Sequence, residues 1–310
     1  MALNYAEGWS PDLLEIMEQE SLTSPFVTTA VKWLSAKTFH FTQMSTSGYK
    51  SHSRLGGWNK GTFAQTDVPF TLTHDRDIQF MIDKIDVDET NETASIKNIS
   101  EVFHKTQQIP EMDAYFYSKV ATEAQKLDGY HSSTALASYT KENVYGKLKS
   151  MLSAGKLRRY VAKGALIAYV NSTIMDLLEQ STDFTRKIEM TQIAEGGVGI
   201  ETRITDIDGV TLIEVIDYER FYDKFDFTDG FVPVASTSHK INVLIASPLT
   251  VKTVPKISSI YYFNPGQHTE GDGYLYQDRS LSDTFIFPNG KDNKIDSIYV
   301  DVDTETYTAA

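Results

Sequence analysis

The sequence predicts an α+β chain arranged around one long, interrupted helix, and three observations carry that prediction. Val68, Phe70, Leu72, His74, Arg76, Ile78, Phe80 and Ile82 share one parity, so a pleated strand would place these bulky residues on one face. Past the acidic run Asp86-Val-Asp-Glu-Thr-Asn91, the apolar residues Ile96, Ile99, Val102 and Phe103 recur at three- and four-residue spacing, which is a helical period. From Ile241 onward the chain turns strand-rich again.

The elements follow in chain order. Met1 to Glu20 sets Leu3, Tyr5, Trp9, Leu13, Leu14, Ile16 and Met17 around Ser10-Pro11, an N-cap and N1 pair, and reads as a short amphipathic helix. Its apolar face would fold onto its own domain or reach to a neighbour. Lys37 to Tyr49 alternates and Gly61 to Leu72 reads as a second strand, joined by a polar, serine-rich connection with Gly48 and Gly56-Gly57. A lone two-stranded hairpin is marginal in water. Its aromatics Phe39, Phe41, Tyr49, Trp58 and Phe63 therefore need a surface, either the body of the same molecule or a partner.

Asp88 or Thr90 is the expected N-cap of the long helix, with Glu89 and Glu92 suited to the positive end of its dipole. Pro110 lacks the N–H that the preceding turn would accept and should kink or interrupt it. The pattern resumes through Ala114, Tyr115, Ser118, Val120 and Ala121 and stops at Gly129. Glu92 to Leu127 would make a rod of roughly 50 Å at about 1.5 Å per residue.

Beyond the loop His131-Ser-Ser-Thr134, Thr140 is expected to cap a helix carrying Val144, Leu148, Met151 and Leu152, with Gly155 at its end. Ala165 to Val170 is a continuous apolar strand, and Ser172 opens another helix. Lys187 to Ile193, Gly199 to Thr205 and Val210 to Val215 read as strands, with Asp208-Gly209 as a type I′ hairpin signal. Ile241 to Ala246, Val251 to Tyr262, Tyr274 to Phe287 and Ile295 to Val302 should return to the long helix and finish its sheet, leaving Asp301-Val-Asp-Thr-Glu305 as a solvated acidic end.

With 310 residues, 41% of them hydrophobic and 12% aromatic, the chain can bury a sizeable core and is expected to divide into two subdomains. It contains no cysteine, which removes disulfides and thiolate metal sites and fits a reducing cytoplasm. The first lysine is Lys32 and no apolar run is long enough to span a bilayer, so a soluble chain without a secretion signal is expected. The net charge of −13 is unevenly spread. Ser21 to Thr66 has no acid and five cations, and Asn143 to Met175 has no acid and six cations, leaving −24 on the remainder. Such separation lets identical copies meet head-to-tail through unlike patches.

Catalytic and metal chemistry find no support. Gly196-Gly-Val-Gly199 lacks the lysine and hydroxyl of a phosphate loop. Asp86-Val-Asp88 and Asp206-Ile-Asp-Gly209 lack the glycine and distal glutamate of a calcium loop. No H-x-x-x-H pair and no Gly-x-Ser-x-Gly elbow is present. The reading is of a non-enzyme without catalytic residues, cofactor or metal.

Phe70-Thr-Leu-Thr-His-Asp-Arg-Asp77, Asp86-Val-Asp-Glu-Thr-Asn91, Ile109-Pro-Glu-Met-Asp-Ala-Tyr115, Arg220-Phe-Tyr222, Phe225-Asp-Phe-Thr-Asp-Gly230 and Gly271-Asp-Gly-Tyr-Leu-Tyr-Gln-Asp-Arg-Ser280 together resemble the major capsid proteins of tailed phages infecting Gram-positive bacteria. The resemblance covers nearly the whole chain in order. It implies the Hong Kong 97 shell fold: an N-terminal arm over 1–35, an extended two-stranded loop (the E-loop) over 36–74, a peripheral domain with its spine helix over 75–130 and 241–310, and an axial domain over 131–240.

Pentamers and hexamers would then form an icosahedral head around double-stranded DNA. The expected partners are further copies of the chain, a separate scaffolding protein, since no long charged helical prefix is present, and a portal. The virion would assemble in the bacterial cytoplasm and contact no membrane. The resemblance places Phe39, Phe41, Tyr49, Lys50, Arg54, Trp58, Lys60 and Phe63 of the E-loop on an adjacent subunit, against acidic Asp86, Asp88, Glu89 and Glu92. Gly56, Gly57 and Pro110 are the expected hinge or kink for a precursor shell that expands. Some shells of this family join an E-loop lysine to a neighbour's asparagine; Lys50 and Lys60 are read here as ordinary basic loop residues. Contact of Lys147 to Lys163 with packaged DNA would be weak and non-specific. An encapsulin-like compartment shares the implied fold, and an extracellular β-rich binding module is the alternative of a different class.

Overall fold

Residues 19–29, 37–52, 54, 56–89, 96–162, 164–181, 188–189, 204–288 and 294–308 are described by the structure, a computed structural model. The architecture is α+β. Strands β1 (Thr38–Thr46) and β2 (Phe63–Thr71) form an antiparallel hairpin in unbroken register from Thr38↔Thr71 to Thr46↔Phe63. β3 (His74–Asp83) follows after two residues and joins a different sheet. The single strand expected across Val68–Ile82 is thus two. At the break, Thr73 donates from both its backbone N–H and its Oγ1 to Asp283 Oδ2, each at 2.9 Å. The parity survives: His74, Arg76, Ile78, Phe80 and Ile82 are half-buried, while the residues between them are exposed.

The short helix α1 (Lys84–Glu89) comes next, with Asp83 Oδ1 accepting from the Ile85 N–H at 2.8 Å. Asp88 therefore lies inside α1 rather than capping the long helix, and Thr90 falls outside the described residues. A continuous helical path then runs from α2 (Ile96–Phe103) through a π-helical segment, His104–Gln108, into α3 (Ile109–Gln125). The interruption expected at Pro110 sits in the turn before it. The proline ring would crowd the Thr106 carbonyl, and the wider π turn makes room. Ile96 to Gln125 spans roughly 45 Å at about 1.5 Å per residue.

After α3 come β4 (His131–Ser133), α4 (Val144–Leu152), α5 (Arg158–Val161), β5 (Ile167–Asn171), α6 (Ser172–Gln180), β6 (Ile188–Glu189), β7 (Ile204–Ile207) and β8 (Val210–Val215). Thr140 does not cap α4, because a turn intervenes and Asn143 is the capping position. Asn171, one residue before the expected start, caps α6 by accepting from the Thr173 N–H at 3.0 Å. Asp208 and Gly209 have φ of 53° and 79° between the paired strands β7 and β8, as the Asp-Gly turn requires.

The chain continues through β9 (Phe225–Asp226), β10 (Val232–Pro233), β11 (His239–Ala246), β12 (Val251–Phe263), β13 (Gly273–Ile286) and β14 (Ile298–Thr306). β12 and β13 pair with the strand that precedes the spine, in the order β12-β13-β3. β11 and β14 instead sit in a seven-stranded sheet ordered β4-β14-β11-β5-β8-β7-β6. This corrects the expectation that all four late segments finish one sheet. The reason is visible in the side chains: Ile241 to Ala246 and Ile298 to Val302 are buried on both faces, as a central strand must be.

Alternate residues of that sheet feed two cores. Leu244, Ala246, Tyr169, Val215, Ile298 and Val300 face α3 through Phe116, Tyr117, Val120, Ala121 and Ala124. Val243, Ile245, Val170, Leu212 and Tyr299 face α4 and α6 through Val144, Leu148, Ile174 and Leu178. Each fully buried Leu, Ile, Val or Phe contributes on the order of 1.5–3 kcal/mol, so this layered block is the stable frame. The acidic tail is solvated only in part: Thr304 and Glu305 are exposed, while Asp301 and Asp303 are buried. Asp301 is buried in β14 and accepts from Ser132, Thr134, Tyr139 and Asn242.

Candidate assembly surfaces

The hairpin arm divides into a built root and an unbuilt tip. Phe39 is only 2% exposed and meets Phe70, Phe285 and Phe287 at ring centroids of 5.6, 5.1 and 6.4 Å. It packs within its own molecule, which corrects its placement on a neighbouring surface: β13 runs past the arm's base and supplies the aromatic partners. Beyond the root, Met44, Tyr49, Trp58 and Phe63 are 64, 110, 94 and 75% exposed. The Phe41 side chain lies outside the described residues. The tip is held by its own backbone: Lys50 Nζ donates to the Lys60 carbonyl at 3.1 Å, and Asn59 Nδ2 to the Ser51 carbonyl at 2.8 Å. Lys50, Arg54 and Lys60 are exposed, and Gly57 turns the chain with φ +70° next to Gly56.

Of the expected acidic partners, only Asp86 has a described side chain. Asp86 is exposed on α1, while Asp88 and Glu89 close that helix with side chains outside the described residues, as is all of Glu92. More carboxylates line the cleft between β3, β13 and the spine. Arg76 Nε meets Glu111 Oε1 at 2.6 Å, and its Nη2 donates to the Gly230 carbonyl at 3.3 Å. Burial nevertheless pushes the Glu111 carboxyl upward, opposed by Arg76. His74 stacks on Tyr115 at 3.9 Å and meets Phe227 edge-on. Its Nε2 lies 3.6 Å from Glu111, yet burial, reinforced by Arg76, lowers its pKa to about 4. The neutral ring is the coherent assignment, since Arg76 already holds Glu111. A cavity of about 330 Å³ opens beside these groups, bounded also by Phe80, Phe103, Met112 and Asp278.

Two further constellations tie the surfaces to the frame. At the arm's base, Asp75 receives Arg279 Nη2 at 2.9 Å and Lys37 Nζ at 3.1 Å, bonds that bring its pKa down to about 2. Behind the spine, Arg220 is 1% exposed and grips Asp113 Oδ2 at 3.1 Å, Asp217 Oδ2 at 2.6 Å and the Gln19 carbonyl at 2.8 Å. Asp113 also accepts from Ser21, Leu22 and Thr23. The segment from Gln19 to Phe26 is thereby strapped across α3. Neither Arg220 nor Asp113 stands in a sequence motif that announces this role; the one local signal is a charged residue next to or just before an aromatic run.

The architecture has solved counterparts along its entire length. A chain from the mature capsid of bacteriophage PhiM1 superposes with a TM-score of 0.64 at 13% identity, covering 98% of this chain and 93% of that one. A chain of the cyanophage P-SCSP1u capsid gives 0.63 at 11% identity, covering 97 and 94%. This chain has the fold of a phage capsid subunit. A chain from Mycobacterium phage Che8 also superposes, with a TM-score of 0.57 at 14% identity, covering 97 and 98%. No protein-family model and no curated protein matches the sequence.

Within this capsid fold the basic stretch after Asn143 is partly neutralised by its own chain. Lys149 meets Asp208 at 3.3 Å, Arg159 meets Asp296 at 3.8 Å, and Lys147 lies 4.2 Å from the Tyr139 ring centre. Lys156 and Arg158 are exposed, and Lys163 lies outside the described residues, as does the Gly196–Gly199 cluster. Among the described residues no group of three or more His, Asp or Glu is placed to hold a metal, and no helix is long and apolar enough to cross a membrane.

Proposed function

We propose that this chain is the major capsid protein of a tailed phage, assembling through rings of five and six copies into an icosahedral head around double-stranded DNA. The observation that carries the reading is end-to-end agreement with phage capsid chains, with no large segment left over on either side. The mechanism is self-association. The layered block, the proposed axial domain extended by β11 and β14, supplies ring contacts. The spine with its three-stranded sheet forms the proposed peripheral domain. The arm, whose tip aromatics are exposed on their own molecule, docks on an adjacent copy. Basic Lys50, Arg54 and Lys60 then approach the acidic spine side of that copy, which steers the encounter and weakens with salt. The Hong Kong 97 type of shell, a separate scaffold, a portal, maturation by expansion and weak contact of Lys156 and Arg158 with the packaged genome belong to the same reading.

Expression of the full chain, alone and with the neighbouring phage genes, followed by sedimentation and negative-stain microscopy, tests it. Closed shells of uniform size are expected. A chain that stays monomeric at every concentration and in both settings overturns the reading.

A further inference from the structure

The cavity between the spine and the three-stranded sheet contains an unmet demand. Asp278 is 5% exposed, and its Oδ1 has no hydrogen-bond partner among the described residues. Its Oδ2 is served by Gln108 Nε2 at 3.3 Å and the Tyr276 hydroxyl at 3.4 Å. A buried carboxylate oxygen without a donor is costly. Ile78, Phe80, Phe103 and Met112 give the lining an apolar wall, and the space measures about 330 Å³. An occupant that meets both features has a large flat apolar body and one N–H or O–H donor at its edge. The carboxylates of Asp77, Asp229, Asp278 and Glu111 outnumber the single guanidinium of Arg76, so basic flanks on the occupant are favoured.

The arm tip offers that chemistry. Trp58 is 94% exposed, carries an indole N–H donor and no acceptor, and sits among exposed Lys50, Arg54 and Lys60. The nine-residue strands of the arm carry the tip roughly 30 Å from its root at about 3.3 Å per residue. We infer that Trp58 of one copy inserts into the spine cavity of an adjacent copy, its indole N–H donating to Asp278 Oδ1. This rests on the reading that the arm docks on a sister subunit, and it names the pocket and the anchor. Buried aromatics with one polar handle are the residues that dominate such contacts.

Two measurements on assembled full-length protein test it. Replacing Trp9 and Trp33 by Phe leaves Trp58 as the sole tryptophan; its emission should shift to the blue on assembly, and acrylamide quenching should be lost. Because the chain has no cysteine, the pair N59C/Q107C introduces the only thiols. Oxidised shells should then give a ladder of covalent multimers in denaturing gels, with neither single variant doing so. Shells that form normally but keep Trp58 quenchable and yield no ladder overturn the inserted tryptophan while leaving the capsid reading intact. A chain that never assembles overturns both.

Discussion

Arg220→Met removes the one cation from the knot that straps Gln19–Phe26 across α3. At 3.1 Å, the Arg220–Asp113 attraction is about 5 kcal/mol gross at an effective dielectric of 20. Desolvation of both ions offsets much of this, so the pair itself contributes far less. Breaking it is another matter, because Asp113 is fully buried and would be left without its cation among aromatic rings. The expected cost is about 3–5 kcal/mol, a large part of the 5–15 kcal/mol typical of a domain. Asp113 still accepts three bonds from Ser21, Leu22 and Thr23, which places the loss toward the lower end. Urea unfolding of unassembled protein measures the total, and amide exchange of Leu22 and Phe26 reports the strap. In a cycle with Asp113→Asn, the two substitutions together should cost less than the sum of the singles. If Arg220→Met changes stability by under 1 kcal/mol and leaves those amides protected, the knot does not hold the strap.

Four further outcomes are expected. His74 binds its proton less readily when folded (pKa about 4) than when unfolded (about 6.5), so its contribution is complete above pH 6.5 and is lost as pH falls toward 4, by up to about 3 kcal/mol; urea midpoints at pH 7.5 and 5 should differ less in His74→Phe than in the parent. Phe39→Ala should destabilise by about 3–5 kcal/mol, whereas Phe63→Ala should leave unfolding within about 0.5 kcal/mol and lower the yield of shells in sedimentation. Gly155→Ala meets both a φ of +51° and the Tyr130 ring, which a Cβ there would overlap, so thermal unfolding should show a loss of about 1–3 kcal/mol, partly recovered with Tyr130→Ala. Pro110→Ala removes the reason for the π turn, and particle diameter by microscopy should change; unaltered particles would count against a hinge there.

The sequence carried the local periods well because each is set by side chains one or two turns apart. The alternation of β3, the Asp208-Gly209 turn and the interrupted spine were all readable for that reason. Partnership between distant segments was not. β11, which joins β5 and β14, is a nearly continuous apolar run, and β12, which joins β13, interleaves Lys252, Thr253, Lys256, Ser258 and Ser259 with its apolar residues, but neither pattern names the partner strand. Asp301 and Asp303 looked like a solvated end because five alternating acids and small residues suggest water. Their donors (Ser132, Thr134, Tyr139 and Asn242 for Asp301) come from remote parts of the chain. Phe39 and Phe63 belong to one hairpin and one residue type, yet one is buried and the other bare. The difference is the passage of β13 beneath the root, which no spacing within the hairpin encodes.

That passage also decides how the arm is coupled to the spine. Asp283, on β13, is 1% exposed and binds Thr73 at the joint between β2 and β3. Its other oxygen accepts from the Tyr115 hydroxyl of α3 at 2.7 Å and lies 3.8 Å from Lys119 Nζ. One carboxylate thus ties the arm's base, the sheet and the helix. Two residues along β13, Phe285 closes on Phe39 and Phe70 from the same side. A displacement of the arm's root against β13 would have to break both the Thr73–Asp283 tie and the aromatic cluster, and the Tyr115–Asp283 hydrogen bond links α3 to the same point. The tip, held by a few exposed hydrogen bonds around Gly57, has no such constraint. The hairpin is therefore stiff at its root, where it is tied to β13, and adjustable at its tip, which is what the proposed docking on neighbours at slightly different angles in a closed shell would require.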